Sequence, residues 1–352
     1  MKTKNLSVTK KVNKKQINKK KFNKFYKKFK NIIFNNIERE NFAIGVSGGP
    51  DSLSLAYFSK AYTDEFKNKM EVLIINHKIR KESSKEALKV KKILKRKKIE
   101  SKILNCKSRI PKSNIQHNAR NVRYSLLADY CLKKNIKYLV IAHHMDDQIE
   151  NFFIRLFRGS GLTGLSSMSE SFDYSKKLKI IRPLLGFKKK DLIDVSLHYF
   201  NDYISDPSNE DEKYLRVRVR KYRKIMEKEG LDTTKIIKTV GNLYSANKAL
   251  NYYKNKALYK HVAFLSESKC LINKKIFDEE AGEIIFKSIS DILSLVSKKY
   301  YAPRSKKIIN LINNMKKNNF NKATLGGCII EKKEGFISVS KEQKMKKTSL
   351  RL

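Results

Sequence analysis

Paired cysteines are absent from this sequence. Its four cysteines, Cys106, Cys131, Cys270 and Cys328, are scattered, and no two of them form a C-x-x-C pair. Zinc ribbons, iron–sulfur clusters and disulfide frameworks use closely spaced cysteines, so the pattern argues against all three. Long apolar runs are absent too, because no stretch reaches bilayer length and the N-terminus lacks the apolar core of a secretory signal. We therefore expect a cytoplasmic protein that does not enter a membrane.

Acidic residues are few. The 352 residues include 34 aspartates and glutamates against 79 lysines and arginines, which gives a formal net charge of +45. Such an excess attracts polyanions, so nucleic acid is the first partner to consider and an anionic membrane surface the second. Lysine, asparagine and isoleucine are abundant throughout, as an AT-rich genome would produce without selection for binding. Charge therefore supports a nucleic-acid partner without deciding it.

The first thirty residues are rich in lysine and contain no acidic residue. Such an arm is suited to contact RNA, and its composition also fits an organelle transit peptide, but a solvated tail is the favoured interpretation. Phe22, Phe25, Phe29 and Ile33 recur at helical spacing. This spacing predicts that the arm, residues 1–37, ends in an amphipathic helix packed on the first strand.

Short apolar runs alternate with longer helical stretches between about residue 40 and residue 145. The predicted strands are Phe42–Val46, Val72–Asn76, Lys102–Leu104 and Tyr138–Ala142. The predicted helices are Ser52–Ala61, Ser84–Lys97 and Asn121–Lys134. The alternation predicts βαβ units and therefore an α/β fold with a doubly wound, mostly parallel sheet, in which ligands bind at the carboxyl ends of the strands.

The character of the chain changes after about residue 225. Helical stretches such as Thr234–Tyr253 and Glu283–Val296 dominate, and Ala323–Glu331 with Gly335–Ser340 predicts a β-hairpin near the end. The predicted division of the chain is a basic arm with its helix, an α/β domain, and a smaller, mainly helical domain that ends in the hairpin, at residues 1–37, 38–225 and 226–352.

The strongest local signal is Ser47-Gly48-Gly49-Pro50-Asp51-Ser52, directly after the first predicted strand. Its glycines let the backbone turn N–H groups toward an anion, and the following helix adds the positive end of its dipole. Pro50 has no N–H to give a phosphate, but its fixed φ suits the first helical position. The segment lacks the lysine of G-x-x-x-x-G-K-S/T and the third glycine of G-x-G-x-x-G. It predicts a different kind of nucleotide-phosphate site, with an ordinary strand-to-helix turn as the alternative.

A second polar cluster follows the fourth predicted strand. It comprises His143, His144, Asp146, Asp147, Glu150 and Asn151. Asp147, Glu150 and Asn151 are related by i,i+3 and i,i+4, so they share one helix face. The alternatives are a helix N-cap with a favourable first turn and, for the histidines, a two-histidine metal site or hydrogen-bonded core residues. So many ionisable groups at one strand end are costly unless they are used, which favours a functional site.

Together these segments resemble a known family. Ser47–Ser52 resembles the S-G-G-x-D-S signature of the PP-loop ATP pyrophosphatases, and His143–Asn151 with Arg158–Leu165 resembles their tRNA(Ile)-lysidine synthetase branch. Further matching motifs, in the same order, are Arg182–Leu185, Asp206–Asn209, Tyr214, Arg216, Arg220 and Leu325–Gly327. The resemblance covers residues 40 to 225 and extends to the small C-terminal domain. It implies a PP-loop ATPase fold.

The resemblance also implies a reaction. Enzymes of this family join L-lysine to C2 of the wobble cytidine in the CAU anticodon of tRNA(Ile). ATP first adenylates the cytosine oxygen and releases pyrophosphate, and the lysine ε-amine then displaces AMP. The implied cofactors are ATP and Mg²⁺, and the implied partners are tRNA(Ile), which the C-terminal domain is expected to contact, L-lysine, and a second copy of the chain in a homodimer.

Roles for individual residues follow from the same resemblance. The residues expected to bind the β- and γ-phosphates are Ser47, Gly48, Gly49, Pro50, Asp51 and Ser52, with Asp51 as the candidate Mg²⁺ ligand. The residues expected to bind lysine or tRNA are Asp147, Glu150, Asn151, Arg120, Arg216 and Arg220. The residues expected to act in catalysis are Asp51, His143, Asp147, Glu150 and Arg123.

Two of these roles keep alternatives. One of the acids, or a neutral His143, is expected to take the proton of the attacking amine, and the choice stays open. Arg120 and Arg123 fall in a segment similar to the family's A-R-x-x-R-Y. They are expected to stabilise the adenylated base or the lysine carboxylate, with a solvated helix face as the alternative.

The chain also departs from the family at two positions. Asn76, in Asn76-His77-Lys78-Ile79-Arg80, stands where aspartate is usual, and Val217 stands where asparagine is typical. A hydrogen bond near the RNA or substrate is expected to be missing at Val217, and the role of position 76 stays open.

Two rival functions share some of these features. A PP-loop tRNA thiolase would use the same ATP loop, but it needs a cysteine pair or a persulfide-bearing cysteine, and Cys106 and Cys131 are not close in sequence. A basic RNA-binding protein with an inactive nucleotide fold would fit the charge. That protein is expected to have lost the loop or the acidic cluster, and both are intact here.

Overall fold

The structure is a computed structural model that describes residues 19–78, 82–106, 115–166, 168–205, 211–299 and 302–342. Three features of the sequence analysis lie outside these residues, namely the arm up to residue 18, Ile79 with Arg80, and Asp206–Asn209. The chain divides into two compact units between Gly241 and Asn242, whereas the sequence predicted a boundary at residue 226. In the described part of the chain, no helix combines the length and apolar character needed to cross a bilayer.

The first unit is built on a six-stranded sheet with the order β3-β2-β1-β4-β6-β5. The strands are β1 (Phe42–Val46), β2 (Met70–Asn76), β3 (Lys102–Asn105), β4 (Tyr138–Val140), β5 (Ser171–Ser175) and β6 (Leu178–Ile181). All neighbouring strands are parallel except β5, which runs antiparallel to β6. The prediction of an α/β fold with a doubly wound, mostly parallel sheet is confirmed.

The helices described in the first unit cover both faces of this sheet or pack beside it. They are α1 (Lys19–Ile37), α2 (Pro50–Phe66), α3 (Ser83–Lys95), α4 (Ile115–Lys133), α5 (Met145–Leu156), α6 (Leu162–Leu165), α7 (Lys189–Phe200), α8 (Leu215–Lys228) and the beginning of α9 (Thr233–His261). Ile44 and Val72 pack with α1, α2, α3 and α7, while their neighbours Ala43 and Leu73 pack with α4. Because both faces are buried there, the inner strands β1 and β4 consist of nearly continuous apolar residues.

Helix α1 is the amphipathic helix that the sequence predicts. Phe29 and Ile33 are fully buried, and Phe22 and Phe25 are partly buried beside them. The ring of Phe29 lies 5.4 Å from that of Phe58, so the helix packs on α2 as well as on the residues of β1.

The second unit contains a five-stranded antiparallel sheet with the order β7-β8-β11-β10-β9. Its elements after α9 are β7 (Val262–Ser266), β8 (Lys269–Asn273), α10 (Ile276–Glu279), α11 (Gly282–Ser297), α12 (Ser305–Met315), β9 (Lys322–Leu325), β10 (Cys328–Lys332) and β11 (Phe336–Lys341). The predicted hairpin is present as β10 and β11. The unit also contains β7 and β8, which the sequence did not predict. Strand β7 follows α9 without a helix breaker and is largely exposed, so it lacks the alternation of buried and exposed residues that would indicate a strand.

One predicted strand of the second unit is two strands in the structure. The run from Ala323 to Glu331 is split into β9 and β10 by Gly326 and Gly327, which have φ values of +69° and +87°. Positive φ at both central residues is the geometry of a tight two-residue hairpin, and glycine adopts it without a steric cost.

The carboxyl ends of the parallel strands β1 and β4 lie next to each other in the first unit. The segment Ser47–Ser52 follows β1, the two histidines follow β4, and α7 begins shortly after β6. The fold therefore brings together the two segments that the sequence analysis singled out.

Candidate active site

The loop after β1 is held closed by one hydroxyl group. Ser52 Oγ accepts hydrogen bonds from the backbone N–H groups of Ser47 and Gly48, each at 3.1 Å, and donates to the carbonyl of Gly49 at 3.0 Å. Gly48 has φ +86°, and a Cβ there would lie 2.5 Å from Cγ2 of Val90. Glycine is therefore required at position 48 by both backbone conformation and space.

Helix α2 begins at Pro50, which occupies its first turn as predicted, with Gly49 as the N-cap. Asp51 follows in the same turn, and its Oδ2 lies 2.5 Å from Nζ of Lys189. Its Oδ1 is buried and, within the described residues, has no hydrogen-bond partner. A buried carboxylate oxygen with free acceptor capacity beside a phosphate loop fits a ligand of Mg²⁺.

Asp51 would share such a metal ion with the phosphates. Among the described residues, no group of three or more histidine, cysteine, aspartate or glutamate side chains is arranged to hold a metal. Magnesium is usually bound by one or two carboxylates together with substrate phosphates and water, so one protein carboxylate is sufficient.

His144 connects the loop to the acidic cluster. It is buried and forms the N-cap of α5. Its ring Nδ1 accepts a hydrogen bond from the backbone N–H of Asp146 at 3.2 Å, and its backbone N–H donates to Asp147 Oδ2 at 3.1 Å. Its Nε2 lies 3.6 Å from Asp51 Oδ2 and 3.5 Å from Asp147 Oδ2. Burial lowers the pKa of His144, but the hydrogen bond to Asp51 and the charges of Asp147 and Asp51 outweigh it, and the net shift is upward.

Glu150 is the most deeply enclosed acid of the cluster. It is 2% exposed, and its two oxygens bind Arg220 Nε at 2.5 Å and Arg216 Nε at 2.8 Å. Arg216 Nη2 also lies 3.5 Å from Asp147 Oδ1. Burial raises the pKa of Asp147, yet the charges of His144 and Arg216 and the hydrogen bond from the backbone N–H of His144 more than compensate and hold that pKa well below its usual range. The structure thus joins two predicted acids and two predicted arginines in one network.

His143 is a neutral residue with one occupied ring nitrogen. Arg120 Nη2 lies 3.2 Å from its Nε2, and because a guanidinium only donates, Nε2 is the acceptor. Burial lowers the pKa of His143 well below its usual value, and the charges of Arg120, Arg182 and Arg216 add to that effect. The remaining nitrogen, Nδ1, carries the proton in this tautomer and is buried without a hydrogen-bond partner within the described residues.

Two predicted site residues are not part of these contacts. Arg123 lies on the exposed side of α4, while Arg120, one turn earlier, is the arginine that meets His143. Asn151 is half-buried on α5 and, in the described part of the chain, makes no side-chain hydrogen bond. Their predicted roles stay predictions.

Comparison with known proteins identifies the family of this site. Residues 15–228 match the PP-loop domain family. The tRNA(Ile)-lysidine synthase of Wolbachia pipientis wMel is 35% identical over 311 residues, which is 86% of this chain and 71% of that protein. The chain belongs to the tRNA(Ile)-lysidine synthase family of PP-loop proteins. The corresponding synthase of Orientia tsutsugamushi (strain Boryong) is 34% identical over 313 residues, 87% of this chain and 70% of that protein.

A solved structure supports the fold independently. A U34-tRNA thiolase from Methanococcus maripaludis superposes with a TM-score of 0.51 and 20% identity, covering 63% of this chain and 79% of that chain. At this identity the likeness concerns the fold alone. The thiolase carries an iron–sulfur cluster, whereas all four cysteines of the present chain are buried and form no disulfide bond. Burial raises the pKa of Cys131 and Cys270 to about 12, so both are neutral thiols, and the thiolase alternative is not favoured.

Sequence reasoning missed two residues that hold this lysidine synthase family site together. Arg223 Nη1 binds Asp146 Oδ1 at 2.5 Å, and the N–H of Lys189 donates to Asp146 Oδ2 at 3.0 Å. Asp146 therefore ties α5 to α7 and α8. Arg223 could have been inferred from its position three residues after Arg220 on α8, but nothing in the sequence distinguishes Lys189 from the two lysines beside it.

The two departures from the family pattern have structural accounts. Asn76 is buried, and its Nδ2 donates to Ser84 Oγ and to Asn105 Oδ1, both at 3.0 Å, while its Oδ1 accepts from the N–H of Lys78 at 3.1 Å. The amide at position 76 therefore forms hydrogen bonds with polar groups at the ends of β2 and β3. Val217 is buried in α8, so an apolar side chain suits its surroundings.

Proposed function

We propose that this protein ligates L-lysine to C2 of the wobble cytidine in the CAU anticodon of tRNA(Ile), using ATP and releasing AMP and pyrophosphate. The observation that carries this proposal is the connection between two sites through His144. Its Nε2 lies 3.6 Å from the loop carboxylate of Asp51 and 3.5 Å from Asp147 in the acidic cluster. A reaction that activates a base with ATP and then adds an amine needs both sites next to the same reacting atom.

The ATP half of the reaction belongs to the loop. The N–H groups of Ser47 and Gly48 converge on Ser52 Oγ, which occupies the acceptor position that a phosphate oxygen would take. Magnesium bound by Asp51 together with the phosphates would neutralise charge on the departing pyrophosphate. The loop residues would orient the triphosphate so that its α-phosphorus faces the cytosine oxygen.

The lysine half belongs to the acidic cluster. Glu150 is already bound by two arginines, whereas the contact of Asp147 with an arginine, Arg216, is longer, at 3.5 Å. We therefore assign the ammonium group of the substrate to Asp147, which stays ionised because its pKa is held low. Arg216 is one-third exposed and is placed to turn toward the carboxylate of the incoming lysine.

His143 is better suited to donate a hydrogen bond than to accept a proton. Its Nε2 lone pair is taken by Arg120, and its pKa is lowered by burial. Its Nδ1–H is a buried donor that can bind an oxygen of the activated cytosine or of the departing phosphate. This assignment replaces the general-base role considered for His143.

The RNA would approach over the outer side of α5 and α8. Phe157 is 53% exposed and Tyr222 is 48% exposed, and their rings are 6.3 Å apart. Three exposed basic residues lie close to these two rings in the sequence, namely Arg158, Lys221 and Lys224. Exposed aromatic rings among basic residues stack unpaired bases and bind the backbone phosphates. This surface is therefore the candidate contact for the anticodon loop.

One assay tests the proposed function directly. The protein is incubated with ATP, labelled lysine and tRNA(Ile) bearing CAU, with a tRNA(Ile) bearing uridine at the wobble position as the control. We expect label in the CAU tRNA alone. Absence of lysine transfer, or transfer of sulfur from a sulfur donor instead, would contradict the proposal. The proposed function also includes a cytoplasmic location, where the tRNA is found, and a homodimer. Cell fractionation tests the location, and light scattering tests the homodimer.

A further inference from the structure

We infer that Lys189 is a phosphate-binding residue, which extends the ATP site from the loop after β1 to the first residue of α7. The inference rests on the use of ATP in the proposed function. It gives the site a cation that the loop itself lacks, and the ligand it would bind is the β,γ-diphosphate portion of ATP or free pyrophosphate.

The backbone fixes the start of this side chain. The N–H of Lys189 donates to Asp146 Oδ2 at 3.0 Å, so the Cα is held against the first turn of α5. From there the side chain reaches the loop, where Nζ lies 2.5 Å from Asp51 Oδ2. The ammonium group therefore lies beside the carboxylate that is the candidate metal ligand.

Charge shows why the loop needs this cation. Ser47–Ser52 contains one carboxylate and no basic residue, so its backbone N–H groups would bind phosphate without any formal positive charge beside them. The arginines of the site are engaged with other groups: Arg216 and Arg220 with Glu150, and Arg223 with Asp146. Lys189 is the lysine whose ion pair is with the loop.

The pair is also free to exchange partners. The side chain of Lys189 is 40% exposed and has a flexible four-carbon stem, so it can turn from Asp51 to a phosphate oxygen. When Asp51 ligates a metal, its attraction for the ammonium decreases and the phosphates offer a stronger partner. Lys189 would then hold the leaving pyrophosphate.

A purely structural role for the pair is the alternative. Helix α7 is anchored on α2 without it, because Leu192 and Val195 are buried in the shared core and Ser54 Oγ donates to the carbonyl of Leu192 at 2.7 Å. A partly exposed ion pair contributes little to stability. Loss of the Lys189 ammonium is therefore expected to leave the fold intact.

The test compares two neighbouring lysines. Lys189→Met keeps most of the stem and removes the charge, and Lys190→Met is the matched control because Lys190 is exposed on the same turn of α7. Equilibrium binding of ATP and of pyrophosphate is measured in the presence of Mg²⁺, without tRNA or lysine. We expect K189M to weaken both by about tenfold or more, K190M to change them less than about twofold, and K189R to retain most of the affinity. Equal affinities for K189M and K190M would overturn the inference.

A second pair of variants separates phosphate contact from neutralisation of Asp51. In the Asp51→Asn background the carboxylate charge is absent. If Lys189 only neutralised that charge, its replacement would have no effect in this background. We expect Lys189→Met to weaken pyrophosphate binding by about fivefold or more in that background as well. No effect there would show that Lys189 acts only through Asp51 and would overturn the inference. If K189M does not fold, Lys189→Gln replaces it in both comparisons.

The binding of ATP and pyrophosphate is measured independently of lysidine formation. If the protein binds ATP but does not transfer lysine to tRNA(Ile), the proposed function fails while the comparison of Lys189 with Lys190 still stands. If lysine transfer is observed and the two variants bind ATP equally well, only the assignment of Lys189 fails.

Discussion

The phosphate loop and the acidic cluster lie at the ends of adjacent strands, yet they are built differently. The loop depends on backbone shape. Gly48 has φ +86°, and the backbone N–H groups of Ser47 and Gly48 both donate hydrogen bonds to the hydroxyl of Ser52. The cluster depends on side-chain charge, with acids and arginines bound to each other at 2.5–3.5 Å. The difference teaches that changes in the loop should act through geometry, whereas changes in the cluster should act through charge and pH.

The largest effect on activity is expected at Asp51, where backbone geometry and side-chain charge are combined. Asp51 is part of the loop but contributes a charge, and Asp51→Ala should abolish ATP-dependent adenylation of tRNA because the candidate metal ligand is lost. Retention of tRNA on the protein should stay nearly unchanged. Adenylation is measured with labelled ATP, and tRNA retention by filter binding. Loss of tRNA binding in this variant would show that the loop has a structural role instead.

A substitution that changes shape without charge tests the loop itself. Gly48→Ala should lower adenylation by about a hundredfold or more, since it forces φ +86° on an alanine and places Cβ against Val90. The control is Gly161→Ala, where φ is −71° and no atom lies within 4 Å of the added Cβ. Kinetics and thermal unfolding are measured for both. If both variants lose the same activity, the loop geometry is not the cause.

The cluster should respond to removal of charge at constant shape. Asp147→Asn should raise KM for lysine by about tenfold or more, because a charge-assisted hydrogen bond to the ammonium is lost. Binding of ATP should change little. The contrasting variant Glu150→Gln should mainly lower stability, by about 2 kcal/mol, because two partly exposed arginines lose their buried partner. An unchanged KM for lysine in Asp147→Asn would argue that the ammonium binds elsewhere.

A smaller effect is expected on the surface that would meet the RNA. Tyr222→Ala should weaken tRNA binding about fivefold through loss of base stacking, and a higher salt concentration should weaken binding by both variant and parent. Leu88→Ala is the control, since Leu88 is 54% exposed on α3 in the same unit. Affinity is measured by fluorescence anisotropy with labelled tRNA. Equal losses in both variants would exclude a specific contact.

The smallest effect concerns pH and arises where His144 connects the cluster to the loop. The pKa of His144 is raised in the folded state, so its protonation contributes stability below the unfolded value near 6.5 and this contribution is lost as pH rises through the folded pKa. The pKa of Asp147 is lowered, so its contribution is present above about 4 and is lost only on strong acidification. The Tm difference between the parent protein and His144→Gln should therefore shrink between pH 6 and 8. A constant difference would contradict the assignment.

Local patterns carried most of the prediction for the first unit. The bounds of β1 and the position of Pro50 at the start of α2 follow from an apolar run and a fixed φ, which short segments of sequence contain. The meeting of Asp147 and Glu150 with arginines of α8 is long-range, and it came from resemblance to a family. That Arg120 rather than Arg123 reaches His143 depends on how α4 is rotated on the sheet.

The second unit shows the limit more clearly. Strands β7 and β8 escaped prediction because pairing of β8 with β11 and of β7 with β8, not local composition, defines them. The Gly326–Gly327 turn was visible as a motif, but its division of one apolar run into two strands depends on the positive φ at both glycines.

The hydroxyl of Ser52 has a thermodynamic consequence. Because it already accepts from the N–H groups of Ser47 and Gly48, these amides lose their water during folding and not during nucleotide binding. In the proposed ATP site, an arriving phosphate would exchange one acceptor for a charged one and order no new backbone. Such a preorganised loop would release pyrophosphate by returning both amides to the serine without passing through an unsatisfied state.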